Sequence, residues 1–123
     1  MEALLGQDEA NMLTQAIEQS TPPVSVRVNA LKPSDSLPAP TDGAVPWCAA
    51  GQYLVERPRF TYDPLLHAGC YYVQEAASMF VEQAYKQITT DFTPHRLLDL
   101  CAAPGGKSTL WRRLMCDGDL LVA

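Results

Sequence analysis

One stretch of the sequence has residue types that could do chemistry on a ligand. From Asp99 an apolar run gives way to Cys101, Ala102, Ala103, Pro104, Gly105 and Gly106, followed at once by Lys107 and Ser108. Small residues where a strand passes into a helix leave backbone amides bare at the positive pole of that helix. With no side chains in the way, a ligand approaches the main chain closely. Such a turn suits a phosphate or a carboxylate, and glycines alone do not separate the two. A nucleotide phosphate loop, G-x-x-x-x-G-K-[ST], needs glycine where this chain has Cys101. Pro104 also removes an amide that such a loop would use. The dinucleotide pattern G-x-G-x-x-G fails too, because only the adjacent pair Gly105-Gly106 is present. Asp99 has two readings, a partner for an ammonium group or an acid bonded to its own turn. Lys107 likewise reads as a ligand contact or a solvated first-turn lysine.

The cysteines offer little more. Cys48, Cys70, Cys101 and Cys116 contain no C-x-x-C pair, and the only histidines are His67 and His95. A metal site is therefore not expected. Neither is a disulfide framework in a chain without an export signal, which leaves free thiols. Cys101 has no histidine, lysine or arginine beside it in sequence to activate it, and no catalytic residue is assigned.

The elements that position the turn follow from periodicity. Residues 2–19 predict a helix with Leu5, Met12, Leu13, Ala16 and Ile17 on one stripe, ended by Thr21-Pro22-Pro23. Residues 24–29 alternate as a strand, with Val24, Val26 and Val28 on one face and Ser25, Arg27 and Asn29 on the other. Residues 32–46, with four prolines and an Asp42-Gly43 turn signal, read as a loop. A second strand is expected at 52–55 and a helix at about 75–86. Residues 96–101 then predict a strand, 102–106 a tight turn, 107–115 a helix and 119–123 another strand. Strand, glycine turn, helix, strand is the opening βαβ unit of an open α/β sheet.

Composition sets the frame. At 123 residues, 47% hydrophobic and 19% charged, the chain reads as an ordinary globular domain. No apolar run approaches a membrane span, and the first residues lack the pattern of a secretory signal, so the cytoplasm is the expected location. The net charge of −5 argues against a free-standing RNA-binding module, which is normally basic.

The residues from Asp99 to Ser108 resemble the cofactor motif of the Sun/Nol-type ribosomal RNA (cytosine-C5) methyltransferases. Residues 25–32 resemble that family's R-x-N-[TP]-x-K stretch, and 69–79 its G-x-Y-Y-x-Q-[DE]-x-S-S-M segment. The segment 47–64 is most similar to bacterial members acting on small-subunit ribosomal RNA. The resemblance implies S-adenosylmethionine as cofactor, with Asp99 and Cys101 to Lys107 at its methionine end. It implies a small α+β N-terminal subdomain over 1–68, and over 69–123 the start of a doubly wound methyltransferase domain. The implied partner is RNA, ribosomal RNA in particular, with Arg27, Lys32, Arg57 and Arg59 as the basic residues placed to meet it. Tyr71 and Tyr72 read as base-stacking or packing residues, with packing expected for at least one. The family's nucleophilic cysteines and ribose-binding acid would lie beyond Ala123. The 123-residue chain is thus expected to be inactive alone and, with an exposed sheet edge, to self-associate. The alternatives are a non-catalytic RNA-binding or assembly module with the same front end and, further off, a P-loop nucleotide binder.

Overall fold

The alternating valines of residues 24–28 build the centre of the N-terminal half. The computed structural model describes residues 4 and 6–123. Strand β1 (Val24–Val28) pairs antiparallel with β3 (Gly51–Leu54) and β4 (Tyr71–Val73), and β2 (Thr41–Ala44) adds to β3, giving the order β2-β3-β1-β4. Helix α1 (Gln7–Gln19) precedes the sheet, with Asp8 and Glu9 in its first turn, where acids suit the helix pole. Leu5 and the first residues of the helix expected over 2–19 lie outside the described residues. Met12, Leu13 and Ile17 on α1 are exposed, and Ala10 is its only buried residue.

Each face of the sheet is covered differently. Val26, Leu54 and Tyr71 pack on one side with Ala39 and Phe60. This side also receives a 3-10 turn (Phe60–Tyr62) and the short helix α2 (Pro64–His67). Asp63 caps α2 by accepting from the Leu65 amide and also accepts from the Tyr71 hydroxyl at 2.6 Å. On the other side lie helices α3 (Ala76–Met79), α4 (Val81–Ile88) and α5 (Gly106–Leu114). Here Val45, Cys48, Ala76, Met79 and Leu110 form a second core. Trp47 locks the edge of that core by donating to the Ala76 carbonyl at 2.7 Å.

The remaining strands, β5 (Arg96–Leu98) and β6 (Leu120–Val122), pair in parallel with α5 between them in sequence. His95 and Asp119 close the N-terminal end of the pair at 2.8 Å, and that hydrogen bond is the main reason the Asp119 carboxyl sits below its ordinary value. Leu98, Leu120 and Val122 stay exposed.

Several expectations change in detail. The stretch 32–46 holds a strand, because Asp42-Gly43 sits in an irregular edge strand instead of a turn, with Gly43 at φ 103°. The helix expected over 75–86 is two short helices joined at Phe80. Strand β4, within a segment read only as a motif, belongs to the antiparallel sheet. The boundary expected at 68/69 lies just before this strand in sequence.

Candidate functional site

Strand β5 ends at Leu98, and the chain turns sharply before α5 starts at Gly106. Asp99 organises the turn from within. One of its carboxylate oxygens accepts from the Cys101 amide at 3.0 Å, and the other accepts from the Ser108 hydroxyl at 2.6 Å. Its own amide donates to the Val122 carbonyl at 2.8 Å. This one acid ties the strand end, the turn and the first turn of the helix together. Both readings of Asp99 started from its place at a strand end, and the turn-bonded geometry is present.

Gly105 caps α5 with φ 100°, a left-handed conformation that favours glycine. Its amide donates to the Ala102 carbonyl at 2.6 Å. The next amides, of Gly106, Lys107 and Ser108, fall in the first helical turn, where no carbonyl lies four residues back within the helix. No side chain caps them. The peptide between Ala103 and Pro104 is cis. A cleft of about 210 Å³ opens at this point, lined by Tyr72, Gln74, Ser78, Cys101, Pro104 and Lys107 among others. Cys101, Pro104 and Lys107 are exposed, whereas Asp99 and Ser108 are buried.

The antiparallel sheet supports the turn from below. Arg27 of β1 is 5% exposed, and its guanidinium donates to Gln74 Oε1 at 2.9 Å, to Thr109 Oγ1 at 2.6 Å and to the Gly106 carbonyl at 3.3 Å. It also lies 5.9 Å from the centre of the Tyr72 ring. The Tyr72 hydroxyl donates to the Pro104 carbonyl at 2.8 Å. Gln74 Nε2 is buried without a hydrogen-bond partner among the described residues. A Cβ added to Gly106 would come within 3.5 Å of it.

These contacts correct the RNA-facing expectation for Arg27. It lies on the polar face of its strand, but α3 and α5 cover that face, and its donors are occupied by the turn. Burial lowers its pKa, though a guanidinium stays charged in any ordinary range. Lys32, Arg57 and Arg59 are exposed, in keeping with a solvent-facing role. Lys32 donates to the Ala68 carbonyl at 2.9 Å, and Arg57 lies over the Phe60 ring at 5.7 Å. Tyr71 packs in the core, and Tyr72 braces the turn. Sequence reasoning missed Gln74 and Thr109 as parts of this arrangement. Gln74 stood inside a quoted motif, but nothing local announces that Thr109 would meet a strand far upstream.

Among the described residues, no group of three or more His, Cys, Asp or Glu side chains is placed to hold a metal ion. No helix among them is long and apolar enough to cross a membrane.

Comparison with known proteins gives the arrangement a context. Residues 1–76 match the family described as the N-terminal domain of 16S rRNA methyltransferase RsmF. The chain is 34% identical over 108 residues to the ribosomal RNA small subunit methyltransferase F of Shewanella sediminis, covering 80% of this chain and 23% of that protein. It is 38% identical over 110 residues to the protein of the same name from Escherichia coli O139:H28, covering 79% of this chain and 22% of that one. The Shewanella oneidensis protein of that name is 38% identical over 112 residues, covering 80% and 22%. The chain thus spans less than a quarter of the length of these relatives. The family match covers the antiparallel sheet, the 25–32 segment and most of the 69–79 segment, and with it the chain belongs to the family of the N-terminal domain of 16S rRNA methyltransferase RsmF.

Proposed function

We propose that this chain supplies the N-terminal domain and the cofactor turn of an S-adenosylmethionine-dependent ribosomal RNA (cytosine-C5) methyltransferase. The observation that carries the reading is a convergence. Arg27, Tyr72 and Gln74, from two motif segments far apart in sequence, meet the third segment at the Gly-rich turn. There the uncapped N-terminus of α5 borders a cleft of about 210 Å³, with Gly106 and Lys107 in its lining. In this reading the turn from Cys101 through Ala102, Ala103, Pro104, Gly105 and Gly106 to Lys107 receives the methionine end of the cofactor. Asp99 sets the shape of that turn and adds negative charge near the ammonium group.

The parallel β5–β6 pair is the opening unit of a doubly wound sheet, whose further strands and helices would cover Leu98, Leu120 and Val122. Parallel sheets are normally buried on both faces, and these side chains are exposed. The junction between the two units lies after β4. Ribosomal RNA is the proposed substrate, with Lys32, Arg57 and Arg59 facing it. The cysteine nucleophile of the reaction is not assigned to Cys48, Cys70, Cys101 or Cys116.

The test is a chimera joining residues 1–123 to the remainder of the Escherichia coli relative. Calorimetric titration should show S-adenosylmethionine binding that Gly105→Val abolishes. A Cβ at Gly105 meets nothing within 4 Å, so the loss would come from the left-handed backbone, which valine rarely adopts. Unchanged affinity in the variant would sink the assignment. Magnesium-dependent ATP binding that needs Lys107 would favour a phosphate loop instead.

A further inference from the structure

The bonds reaching the turn from the antiparallel sheet share a property that the individual contacts hide. Those that reach the main chain end on carbonyls, of Pro104 and Gly106, on either side of one that the helix holds itself. Tyr72 holds the Pro104 carbonyl at 2.8 Å. Thr109, itself held by Arg27 at 2.6 Å, donates to the Gly105 carbonyl at 2.8 Å. Arg27 holds the Gly106 carbonyl directly at 3.3 Å. In a planar trans peptide, the carbonyl of one residue and the amide of the next point in opposite directions. The only cis bond among the described residues is Ala103–Pro104, so this rule applies from Pro104 onward. Fixing the Gly106 carbonyl directly, and the Gly105 carbonyl through Thr109, therefore fixes the directions of the Lys107 and Gly106 amides.

We infer that Arg27 and Tyr72 are positioning residues that clamp the turn by its carbonyls and so aim the Gly106 and Lys107 amides as a two-donor cradle for a carboxylate. The inference rests on the reading of the turn as the site for the methionine end of the cofactor. It goes further by assigning the shape of that site to side chains of the N-terminal sheet. Arginine suits the task because its fork reaches Gln74, Gly106 and Thr109 at once, which a lysine ammonium on a flexible stem does not match. The closed face also explains why Gly106 has no side chain, since a Cβ there would press on Tyr72 Cε1 at 3.3 Å.

The experiment uses the 123-residue chain labelled with nitrogen-15. Backbone order parameters report the rigidity of residues 104–109, and amide shifts report binding of S-adenosylmethionine at millimolar concentration. Arg27→Lys and Tyr72→Phe should both loosen the turn while the amides of β1 and β3 keep their wild-type values. Tyr72→Phe removes one hydroxyl and leaves the ring, so it remains informative even if the arginine variant folds poorly. Cofactor affinity should fall about fivefold for Tyr72→Phe and about tenfold or more for Arg27→Lys. Decarboxylated S-adenosylmethionine should leave the Gly106 and Lys107 amides unmoved.

A turn as rigid in both variants as in wild type overturns the clamp, whatever the cofactor does. Equal shifts with the decarboxylated analogue overturn the carboxylate cradle. A wild-type turn indifferent to S-adenosylmethionine both in this chain and in the chimera overturns the cofactor reading and the cradle with it, and the order parameters still decide the clamp.

Discussion

Cys48 lies almost without exposure in the core between the sheet and the helices. Its thiol is pushed above the ordinary value, first by burial and then by the neighbouring Glu82 carboxylate. The thiolate is the reactive form, so this cysteine should be inert in the folded chain. Cys101 and Cys116 are exposed. Alkylation followed by peptide mass spectrometry should label these two first, with Cys48 modified only on unfolding. Native Cys48 labelled as fast as Cys101 would contradict the packing described. Free thiols were the reading from sequence, but which thiol would be hidden was not visible there. Arg27 was misread for a related reason. Alternation with valines put it on a polar face, and polar faces are ordinarily wet. Here the face is covered by helices whose docking depends on residues far downstream, and a buried guanidinium with several acceptors is the result.

At the level of elements, the patterns with the strongest periodicity were the most legible. The valine strand and the helix after the glycine turn stand within a residue of their expected ends, whereas the strand expected over 96–101 stops at Leu98 and the turn begins three residues early. The weaker ones went astray for identifiable reasons. Edge strand β2 is exposed throughout and carries no alternation to read. Strand β4 is too short to show a period. Gly51 gave no signal in sequence, yet it marks where β3 meets α3. A Cβ there would lie 2.7 Å from Val45 Cβ and 2.8 Å from Met79 Sδ. Neither neighbour has room to withdraw inside the second core. Gly51→Ala should destabilise the fold by about 1–3 kcal/mol, the usual range for overpacking. Urea denaturation measures it directly, and a variant as stable as wild type would mean the strand and helix can separate at little cost.

The molecule as a whole joins an antiparallel sheet, covered on both faces at its centre, to a parallel pair that is not. Leu98 is 61% exposed, Leu120 53% and Val122 50%. Nearby, Ile88, Phe92, Pro94 and Leu97 line a largely apolar hollow of about 260 Å³. Exposed apolar strands of this kind pair with other chains. Sedimentation of the 123-residue chain should therefore show concentration-dependent association, and Leu98→Ser with Leu120→Ser should weaken it. A monomer at every concentration would show that this surface tolerates water. The glycine turn and its flanking strands were legible as a strand–helix–strand unit, and β5 and β6 do pair with each other. The place of β4 beside β1 was not legible, since they pair through backbone bonds that no local pattern records.

Arg27 precedes its acceptors Gly106 and Thr109 by 79 and 82 residues. A ribosome makes the N-terminus first, at roughly 5–20 residues per second, so several seconds separate the arginine from the acceptors it needs. Through that interval the nascent sheet carries a cation on the face it must later close, and an unpaired charge resists being taken out of water. The strands are free to pair as soon as β4 has been made. Their polar face stays hydrated until the glycine turn arrives, which makes the turn the last piece of its own foundation.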